Sequence, residues 1–596
     1  MWRRIESSKS KNRPGEQAKV RPAAPELSPF LFWIAAAAVV VGILAVYSPS
    51  LSYPFILDDK LFIGDRRVQL PGHLWGYFTN AAWAQFAGGP ASFYRPLFVV
   101  WLRINFILNE MSCWGWHFLS VLKHVWVAVL LGLLVWILLR DRVAVLMAGA
   151  LFAFHPAHTE SVAWVSVPDP LMSVGVLGAL LLYLRYRDLP LRREARLSIR
   201  VEAATARLKK GARKAHRAIL KPLRAEPSKA HRSVAWLAGS TVLYFAALLV
   251  KETAIVALLV LFAVALADRM AESGESTPSR FRVRAVPALC DVAPFVAATV
   301  AYSLLRWHAL GGRLVAPTQH WPWTTVLLSW PATLWFYVKV LFWPVRFRAF
   351  GDPSRADSFS LNGVLLPALA VCCVIALLVM GGLWAWRKER RDLPAPEAVG
   401  VGLALLLGTL LLALPLVPAL NLNGLNPDDY LHGRYAYLST AGLMLLAATG
   451  WHLAAKWRTP LLLAAGAAAV AFAAFTVSQE GAWSSDMSVF AAGQKNAPRN
   501  AFVARNLARA HVQEALEWDT AGRCQDALPV FENAIQQYPD DWYGWAGLGD
   551  CLDKLNDLPR AERALHRAAD LAGQALVTER WQAVREKLEV ATRHRQ

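Results

Sequence analysis

Long apolar runs alternate with short polar segments along most of the chain. Several runs of about 20 residues are nearly free of charge, which is the length that crosses the hydrocarbon core of a bilayer. Residues 28–48 and 362–386 are two clear cases. The pattern predicts an all-α, polytopic helical membrane protein. Its predicted spans are 29–47, 116–139, 143–160, 170–186, 234–250, 252–268, 286–305, 362–386, 398–420, 436–455 and 459–477.

One further apolar stretch, 324–343, is interrupted by Pro331 and is interpreted as a re-entrant or interfacial segment. Basic loops are expected on the cytoplasmic side of a membrane. The basic loops of this chain are 140–142, 187–232, 268–284, 387–391 and 456–458. These loops can all lie on the cytoplasmic side only if 324–343 is re-entrant or interfacial, or crosses the membrane as two short pieces. Eleven full crossings then place the N-terminus in the cytoplasm and the C-terminal tail outside it.

Composition and charge agree with a membrane location. The chain has 596 residues, is 56% hydrophobic and carries a formal net charge of +20. The excess Lys and Arg lie mainly in a predicted basic cytoplasmic tail, 1–28, and in a basic cytoplasmic segment, 187–232. The positive-inside rule explains these clusters, so we expect no nucleic-acid binding. A bacterial inner membrane is the expected location.

Residues 478–596 differ from the multi-span region, 29–477, because they are charged and amphipathic. They repeat every 34 residues in the tetratricopeptide (TPR) pattern of small and large apolar positions. The matching pairs are Ala515/Gly549, Ala527/Ala561, Phe531/Leu565 and Ala534/Ala568. The pattern predicts an extracytoplasmic, α-helical TPR domain, whose concave surface could bind a protein partner but does not indicate which one. Cys524 and Cys551 lie in it and could pair in an oxidising compartment.

The predicted topology places four polar segments on the outer side. They are the first extracytoplasmic loop, 48–115, the segment 154–170, the corner 251–252 and the segment 421–438. Polar groups at membrane depth are costly and are usually functional. Their convergence on one side predicts a functional site there.

Asp58 and Asp59 are adjacent carboxylates in the first of these loops. In a low-dielectric setting both cannot ionise freely, so the pKa of one should rise. Such a pair could deprotonate a hydroxyl or hold a divalent cation, Mg²⁺ or Mn²⁺. The structural alternative is a helix N-cap before a short amphipathic helix.

Further candidates could bind an anionic substrate. Arg95 and Arg434 offer a fork of donors that suits phosphate or carboxylate. His155 and His158 share a helix face and could bind a metal or a phosphate. Each candidate also has a structural alternative. Arg95 and Arg434 could be interfacial anchors, and His155 and His158 could cap a helix end. Lys251 and Glu252 could be a corner whose two charges pair with each other. The full set of binding candidates is Arg95, His155, His158, Glu160, Lys251, Glu252, Arg434 and Tyr435.

Six stretches, taken in order and followed by the repeats, resemble the transmembrane and tetratricopeptide-repeat O-mannosyltransferases. That family lies within the GT-C class of glycosyltransferases, which use lipid-phosphate sugar donors. The stretches are ILDDKLFI (56–63), YRPLF (94–98), WHFLSVLKH (116–124), LFAFHPAHTESVAWVS (151–166), KETAIV (251–256) and GRYAYLST (433–440).

The resemblance implies a GT-C-like fold and a membrane glycosyltransferase. The sugar, with mannose as one candidate, would pass from a polyprenyl-phosphate donor to an extracytoplasmic hydroxyl on a protein or an envelope glycan. Asp58 becomes the expected general base, with Asp59 supporting it or assisting at a cation. Residues expected near the donor phosphate are His155, His158, Lys251 and Arg434.

One departure from the family pattern affects a possible site residue. Where the family often has an Arg-x-Asp sequence, this chain has VPDPLM (167–172), so Asp169 is left unassigned. A non-catalytic membrane scaffold, whose repeats recruit an envelope-assembly partner, is the alternative function. A transporter is disfavoured because the two halves of the chain do not resemble each other.

Overall fold

The computed structural model describes residues 27–72, 74–81, 93–187, 227–271, 279–312, 321–347, 349–353, 355–392, 395–426, 428–573 and 575–593. Nearly all of the predicted basic tail, 1–28, and most of the basic segment, 187–232, lie outside these residues. Nothing below concerns their structure.

The described part of the chain is built from α-helices joined by short turns and loops. In chain order the helices are α1 (Pro29–Val46), α2 (Asp58–Gly64), α3 (Arg66–Gln69), α4 (Leu74–Thr79), α5 (Pro96–Asn109), α6 (Cys113–Leu139), α7 (Arg142–Ala153), α8 (Thr159–Ala163), α9 (Asp169–Tyr186), α10 (Pro227–Val250), α11 (Val256–Ala271), α12 (Ser279–Asp291), α13 (Ala293–Ala309), α14 (Trp323–Phe342), α15 (Leu366–Asp392), α16 (Ala395–Ala413), α17 (Tyr437–Leu453), α18 (Arg458–Glu480), α19 (Asp486–Asn496), α20 (Ala501–Thr520), α21 (Cys524–Gln537), α22 (Trp542–Lys554), α23 (Leu558–Ala572) and α24 (Ala575–Arg593). Single 3₁₀ turns, including Pro156–His158, Glu252–Ile255, Leu414–Leu420 and Gly433–Ala436, link several of them.

The predicted polytopic helical architecture is confirmed. Seven helices of the described residues are long and apolar enough to cross a membrane, and a further pair bent by 60° gives eight. The seven are Pro29–Val46, Cys113–Leu139, Glu252–Met270, Trp323–Phe342, Leu361–Ala385, Val399–Leu420 and Arg458–Trp483. The count of eleven crossings remains a prediction.

Two predicted elements differ from the structure. Helix α14 runs unbroken through Pro331, so an interruption at this residue was the wrong expectation. A long apolar helix can lose the one hydrogen bond that proline removes and stay helical. The predicted span 143–160 instead ends as a helix at Ala153. Pro156 disfavours the helical conformation of His155 before it, and a 3₁₀ turn follows.

Helices α16 and α17 approach each other at small residues. A Cβ atom added at Gly442 would lie 2.3 Å from the backbone nitrogen of Leu412. One added at Gly408 would lie 2.7 Å from the Leu446 side chain. Glycine at such positions lets helix backbones come into contact in a membrane bundle. This packing fixes both ends of the loop that joins α16 to α17. That loop carries several of the polar residues on this side of the bundle.

The polar loops separate to the two ends of the bundle. At one end Asp141, in the predicted loop 140–142, accepts a hydrogen bond at 2.9 Å from His452 near the end of α17, and Arg458 of the predicted loop 456–458 lies 4.0 Å from the same carboxylate. At the other end the turn Gly433–Ala436 contacts the turns Pro156–His158 and Leu414–Leu420, and the latter contacts Glu252–Ile255. We call this second end, with the loop that carries Asp58, the loop face. It contains the segments that the predicted topology grouped on one side.

Helices α20 to α24 form antiparallel hairpins around their own apolar core. Ala527, Phe531, Ala561 and Leu565, which the repeat pattern singled out, are fully buried there. Cys524 and Cys551 are both buried free thiols, and each donates a hydrogen bond to Asp519. Their pairing into a disulfide therefore stays a prediction for an oxidising compartment.

The first part of the tail packs against the loop face. A buried apolar cluster joins tail residues Trp483, Phe490 and Val503 to loop-face residues Ile56 and Phe350. The boundary predicted at 478 therefore does not mark a gap in the packing. The tail contacts the loop that carries the candidate site.

Candidate functional site

The candidate general base lies at the start of a short helix. Helix α2 begins at Asp58, and Leu57 is the residue that precedes its first turn. Asp58 is therefore inside the helix and is not its N-cap, which removes the structural alternative that the sequence left open. Its side chain is partly buried, and no residue of the described ranges donates a hydrogen bond to its carboxylate. Asp58 keeps its oxygens available for a substrate.

Asp59 has a different environment from its neighbour. Its side chain is fully buried, and its two oxygens accept hydrogen bonds from the backbone N–H groups of Ser166, at 2.9 Å, and Ile56, at 3.3 Å. Burial raises the pKa of Asp59 to about 7, although these hydrogen bonds act in the opposite direction. Asp59 fastens the Asp58 loop to the segment before α9. It supports the site and does not face a substrate.

The raised pKa of Asp59 gives a stability prediction. The folded protein binds the Asp59 proton more tightly than the unfolded chain, because the pKa rises from 3.8 to about 7 on folding. The stability that this group contributes is therefore present in acid and is lost as the pH rises toward 7. We expect Asp59→Asn to lower the unfolding temperature more at pH 5 than at pH 7.5. Thermal unfolding of both proteins in one detergent checks this, and an equal difference at the two pH values would contradict it.

Glu160 connects the two halves of the loop face. Its oxygens accept hydrogen bonds from the Arg434 backbone N–H at 2.8 Å and from the Arg434 guanidinium at 2.9 Å. One of the same oxygens lies 3.2 Å from Nδ1 of His432. Asp429 pairs with Nε2 of His432 at 3.1 Å. Two segments far apart in the chain are thus held together by a buried network of opposite charges.

This network sets the charge around Asp58. Burial opposes the charge of His432, but Asp429 and Glu160 raise the pKa of its imidazole to about 10. Burial itself raises the pKa of Asp58, while the positive charge of Arg434 lowers it. A carboxylate whose pKa is moved toward neutrality is a stronger base at physiological pH. The balance therefore suits Asp58 to accept a proton.

Beside the network lies a cavity of about 200 Å³. Three cations, Arg95, Lys251 and Arg306, line it together with the carboxylates of Asp169 and Glu252. Tyr435 and several apolar residues complete the lining. Among the described residues of the lining, the positive charges outnumber the negative ones. Such a cavity suits an anionic group attached to an apolar chain.

Each carboxylate of the cavity holds one cation in place. Lys251 Nζ lies 2.6 Å from Asp169, and both side chains are about 95% buried. Arg95 makes two hydrogen bonds to Glu252, at 2.7 and 3.1 Å. These pairs fix the direction of the cations before a substrate arrives. Fixed charges of this kind stabilise developing charge without reorganising.

Tyr435 joins the cavity to the charged network. Its ring lies 5.1 Å from Lys251 Nζ on one side and 5.4 Å from the Arg434 guanidinium on the other. Arg434 also lies over the Trp164 ring at 4.8 Å. The cavity and the charged network are therefore in contact through Tyr435, which lines the cavity and lies beside Arg434.

The structure corrects the expected placement of two residues. His155 and His158 are fully buried and do not line the cavity. His155 is bonded to the backbone of Leu341 and Ala157. His158 packs its ring against Phe152 and Tyr437, and burial lowers its pKa well below the ordinary value. Both histidines fill the junction below the loop face, because Pro156 turns the chain inward there.

Several site residues were missed in the sequence. Asp169 was left unassigned because it departs from the family spacing, yet it pairs with Lys251. Arg306 directly follows the predicted span 286–305, and a charge at the outer end of a span was the signal that could have found it. Asp429 and His432 lie in a segment that was singled out, but the sequence alone assigned Asp429 to a turn. That turn exists, with Asn426 accepting from the Asp428 N–H.

The expected cation pair needs revision. Asp58 and Asp59 do not fit a cation held between them, because Asp59 uses both oxygens for backbone hydrogen bonds. Asp429 Oδ1 is buried and has no hydrogen-bond partner within the described residues. Asp429 also acts electrostatically on Asp58. Within the described residues, Asp58 and Asp429 thus each keep a carboxylate oxygen that no hydrogen bond occupies.

Fold and site together define a class: an integral, polytopic helical membrane protein with a TPR tail and a carboxylate beside a cationic cavity. A profile of the tetratricopeptide repeat family matches residues 520–588. The resemblance seen in the motifs is confirmed by similarity to protein O-mannosyl-transferases.

The similar proteins are animal proteins that are named protein O-mannosyl-transferases, and the match is partial. The chain is 35% identical over 147 residues to the human protein O-mannosyl-transferase TMTC2, covering 24% of this chain and 18% of that protein. It is 36% identical over 154 residues to Tmtc1 of Drosophila melanogaster, covering 25% and 18%. It is 35% identical over 156 residues to human TMTC3, covering 25% and 16%. The match thus spans less than a fifth of each relative.

Among solved structures, two of an archaeal enzyme align with most of the chain. The apo oligosaccharyltransferase of Archaeoglobus fulgidus aligns with 80% of this chain and 60% of its own, at 13% identity and a TM-score of 0.38. The same enzyme with an inhibitory peptide and a dolichol-phosphate aligns with 80% and 59%, at 12% identity and a TM-score of 0.38.

Proposed function

We propose that this protein is a membrane glycosyltransferase that moves a sugar, mannose by analogy with its relatives, from a polyprenyl-phosphate donor to a hydroxyl group. The observation that carries the proposal is that both groups lie on the loop face. Asp58, whose carboxylate accepts no hydrogen bond from the described residues, shares this face with a cavity that Arg95, Lys251 and Arg306 line. The first suits a hydroxyl acceptor and the second suits a lipid phosphate.

The reaction follows from this arrangement. Asp58 accepts the proton of the acceptor hydroxyl, whose oxygen then forms a bond to the anomeric carbon of the sugar. The bond between that carbon and the phosphate oxygen breaks. The polyprenyl phosphate leaves with one more negative charge, which Lys251, Arg95 and Arg306 stabilise in the cavity. The hydrogen bond to Glu160 fixes the Arg434 guanidinium on the side of Tyr435 that faces away from the cavity cation Lys251.

We place the reaction at an extracytoplasmic surface, with the bacterial inner membrane as the expected location. The acceptor is a protein or an envelope glycan, and the TPR repeats hold a protein acceptor or a partner beside the loop face. If a divalent cation, Mg²⁺ or Mn²⁺, takes part, Asp58 and Asp429 are its proposed ligands on this face. When bound, it would supply Lewis-acid polarisation of a substrate oxygen.

The test is an assay of lipid turnover. Purified protein in lipid nanodiscs is incubated with radiolabelled polyprenyl-phosphate mannose and an extract of envelope proteins and glycans, with and without EDTA. The proposal expects label to leave the lipid and appear on an acceptor. Polyprenyl-phosphate glucose serves as the comparison donor. If no labelled donor is consumed while an isolated tail captures a partner, the non-catalytic scaffold becomes the better description.

A further inference from the structure

We propose that Asp486, the first residue of helix α19 in the tail, is a positioning residue that holds Asp58 in its reactive place. The inference rests on the proposed function and deepens it. The segment between the last membrane helix and the TPR repeats then supports the catalytic site, where the sequence had indicated only a binding domain beside it.

The contact joins residues that are 429 positions apart in the chain. Asp486 Oδ1 accepts a hydrogen bond from the backbone N–H of Leu57 at 2.7 Å. Asp486 Oδ2 lies 2.6 Å from Nζ of Lys60. One carboxylate of the tail therefore grips the residue before Asp58 and a residue two positions after it.

The backbone of Leu57 explains why this grip matters. Leu57 has φ 50° and ψ −128°, a conformation that residues with a side chain rarely adopt. Such a conformation persists only where the surroundings enforce it, and it is typical of functional sites. The acceptor of the Leu57 N–H is Asp486, which belongs to the tail and not to the loop. The tail therefore stabilises the unusual backbone conformation of Leu57. Without it the turn before Asp58 can relax and redirect the Asp58 side chain.

The tail also holds the other half of the site. Asn500 donates a hydrogen bond to the carbonyl of Gly351 at 2.9 Å, and Arg499 N–H donates to Asp352 at 2.8 Å. Gly351 N–H in turn donates to the carbonyl of Leu431 at 3.0 Å, next to His432. Helices α19 and α20 thus brace both the Asp58 loop and the segment that carries His432 and Arg434.

The apolar packing makes this brace rigid. Trp483, Phe490 and Val503 of the tail are buried in one cluster with Ile56 and Phe350. Asp486 is itself fixed as the first residue of α19, whose cap is the Ser485 side chain bonded to the Ser488 N–H. The carboxylate that grips Leu57 therefore stands on a rigid element.

The experiment compares variants of the full-length protein in the lipid-turnover assay. We expect Asp486→Ala to lower kcat at least tenfold while the KM for the lipid donor stays within twofold, because the donor cavity is untouched. Asp486→Asn keeps an oxygen for the Leu57 N–H and should retain at least a third of the wild-type kcat. Lys60→Met, the matched control, removes the ion pair but leaves the Leu57 bond, and should also stay within threefold.

A second measurement separates this inference from the proposed function. Hydrogen exchange of the backbone amides of residues 55–65 needs no substrate. We expect at least a tenfold faster exchange there in Asp486→Ala and little change in Lys60→Met. If wild-type protein transfers no sugar but this exchange pattern appears, the proposed function fails and the grip on the loop stands as a structural contact only.

Leu57→Gly supplies the remaining test. Glycine adopts a positive φ without strain, so the loop should depend less on the tail. Asp486→Ala should then reduce kcat by a smaller factor in the Leu57→Gly protein than in the wild type. Equal factors in both backgrounds would overturn the inference, as would unchanged kcat and exchange in Asp486→Ala.

Discussion

Asp58→Asn is expected to lower the rate of sugar transfer by about 10²- to 10⁴-fold, the range for loss of a general acid–base group. Asparagine has nearly the same shape but cannot accept the hydroxyl proton. Because no hydrogen bond from the described residues ends on the Asp58 carboxylate, the fold should tolerate the change. The variant should insert normally and keep the wild-type unfolding temperature within a few degrees. Single-turnover transfer from a labelled lipid donor measures the rate.

Two controls make this result interpretable. Asp428→Asn changes an exposed carboxylate of the same face and should leave the rate within twofold of the wild type. The donor affinity of Asp58→Asn should also be unchanged, since Asp58 does not line the cavity. A variant that is folded, binds donor and still transfers at the wild-type rate would remove Asp58 from the mechanism.

Lys251 carries the second large effect. Lys251→Gln should weaken donor binding and lower the rate by about 10²-fold or more, because one of the charges that face the leaving phosphate is lost. It should also destabilise the protein by about 3–5 kcal/mol, since Asp169 is left as a buried carboxylate without its partner. The double variant Lys251→Gln with Asp169→Asn removes both charges. It should recover most of the stability and none of the activity.

A buried pair at the opposite end of the bundle supplies the matched control. Arg187 and Asp268 form an ion pair that is also about 95% buried, and Arg187 has a second carboxylate partner in Asp291 at 2.8 Å. The double variant Arg187→Gln with Asp268→Asn should lose stability to a similar extent as the Lys251–Asp169 double variant, yet keep its activity. Donor affinity is measured by binding of labelled polyprenyl-phosphate mannose. Recovery of activity in the Lys251–Asp169 double variant would assign Lys251 a purely structural role.

Much of the fold follows from local pattern. Charge-free runs of about 20 residues identify membrane helices because the bilayer imposes both length and apolarity. The repeat positions Ala527, Phe531 and Leu565 follow because each repeat presents the same packing surface to the next one. Breaks are harder to predict. Pro331 is tolerated within α14, whereas Pro156 ends the run that begins at Arg142.

The candidate site was predicted in part. The topology argument brought Asp58, Glu160, Lys251 and Arg434 to one face, since loop parity needs no knowledge of the packing. It could not distinguish a residue at the surface of that face from one below it. His155 and His158 carry the same chemistry in either place, and only the fold shows that they lie in the interior.

Contacts between residues that are far apart in the chain could not be predicted from the sequence. Asp169 pairs with Lys251, which is 82 positions away, and Asp486 bonds to Leu57 across the whole membrane domain. Nothing in the local pattern of either aspartate differs from an ordinary helix start. Their roles arise from the packing of helices whose relative positions a single sequence does not give.

The central claim is that dispersed charged residues meet at one site on one side of the membrane. It is tested most directly by labelling single cysteines with a membrane-impermeant maleimide, in a variant that lacks the six native cysteines. Exposed residues Lys60 and Asp428 report the loop face, and exposed Lys456 reports the opposite end. In sealed vesicles of one orientation, cysteines at 60 and 428 should be labelled from the same side and the cysteine at 456 only from the other. Labelling of 60 and 428 from opposite sides would contradict the account.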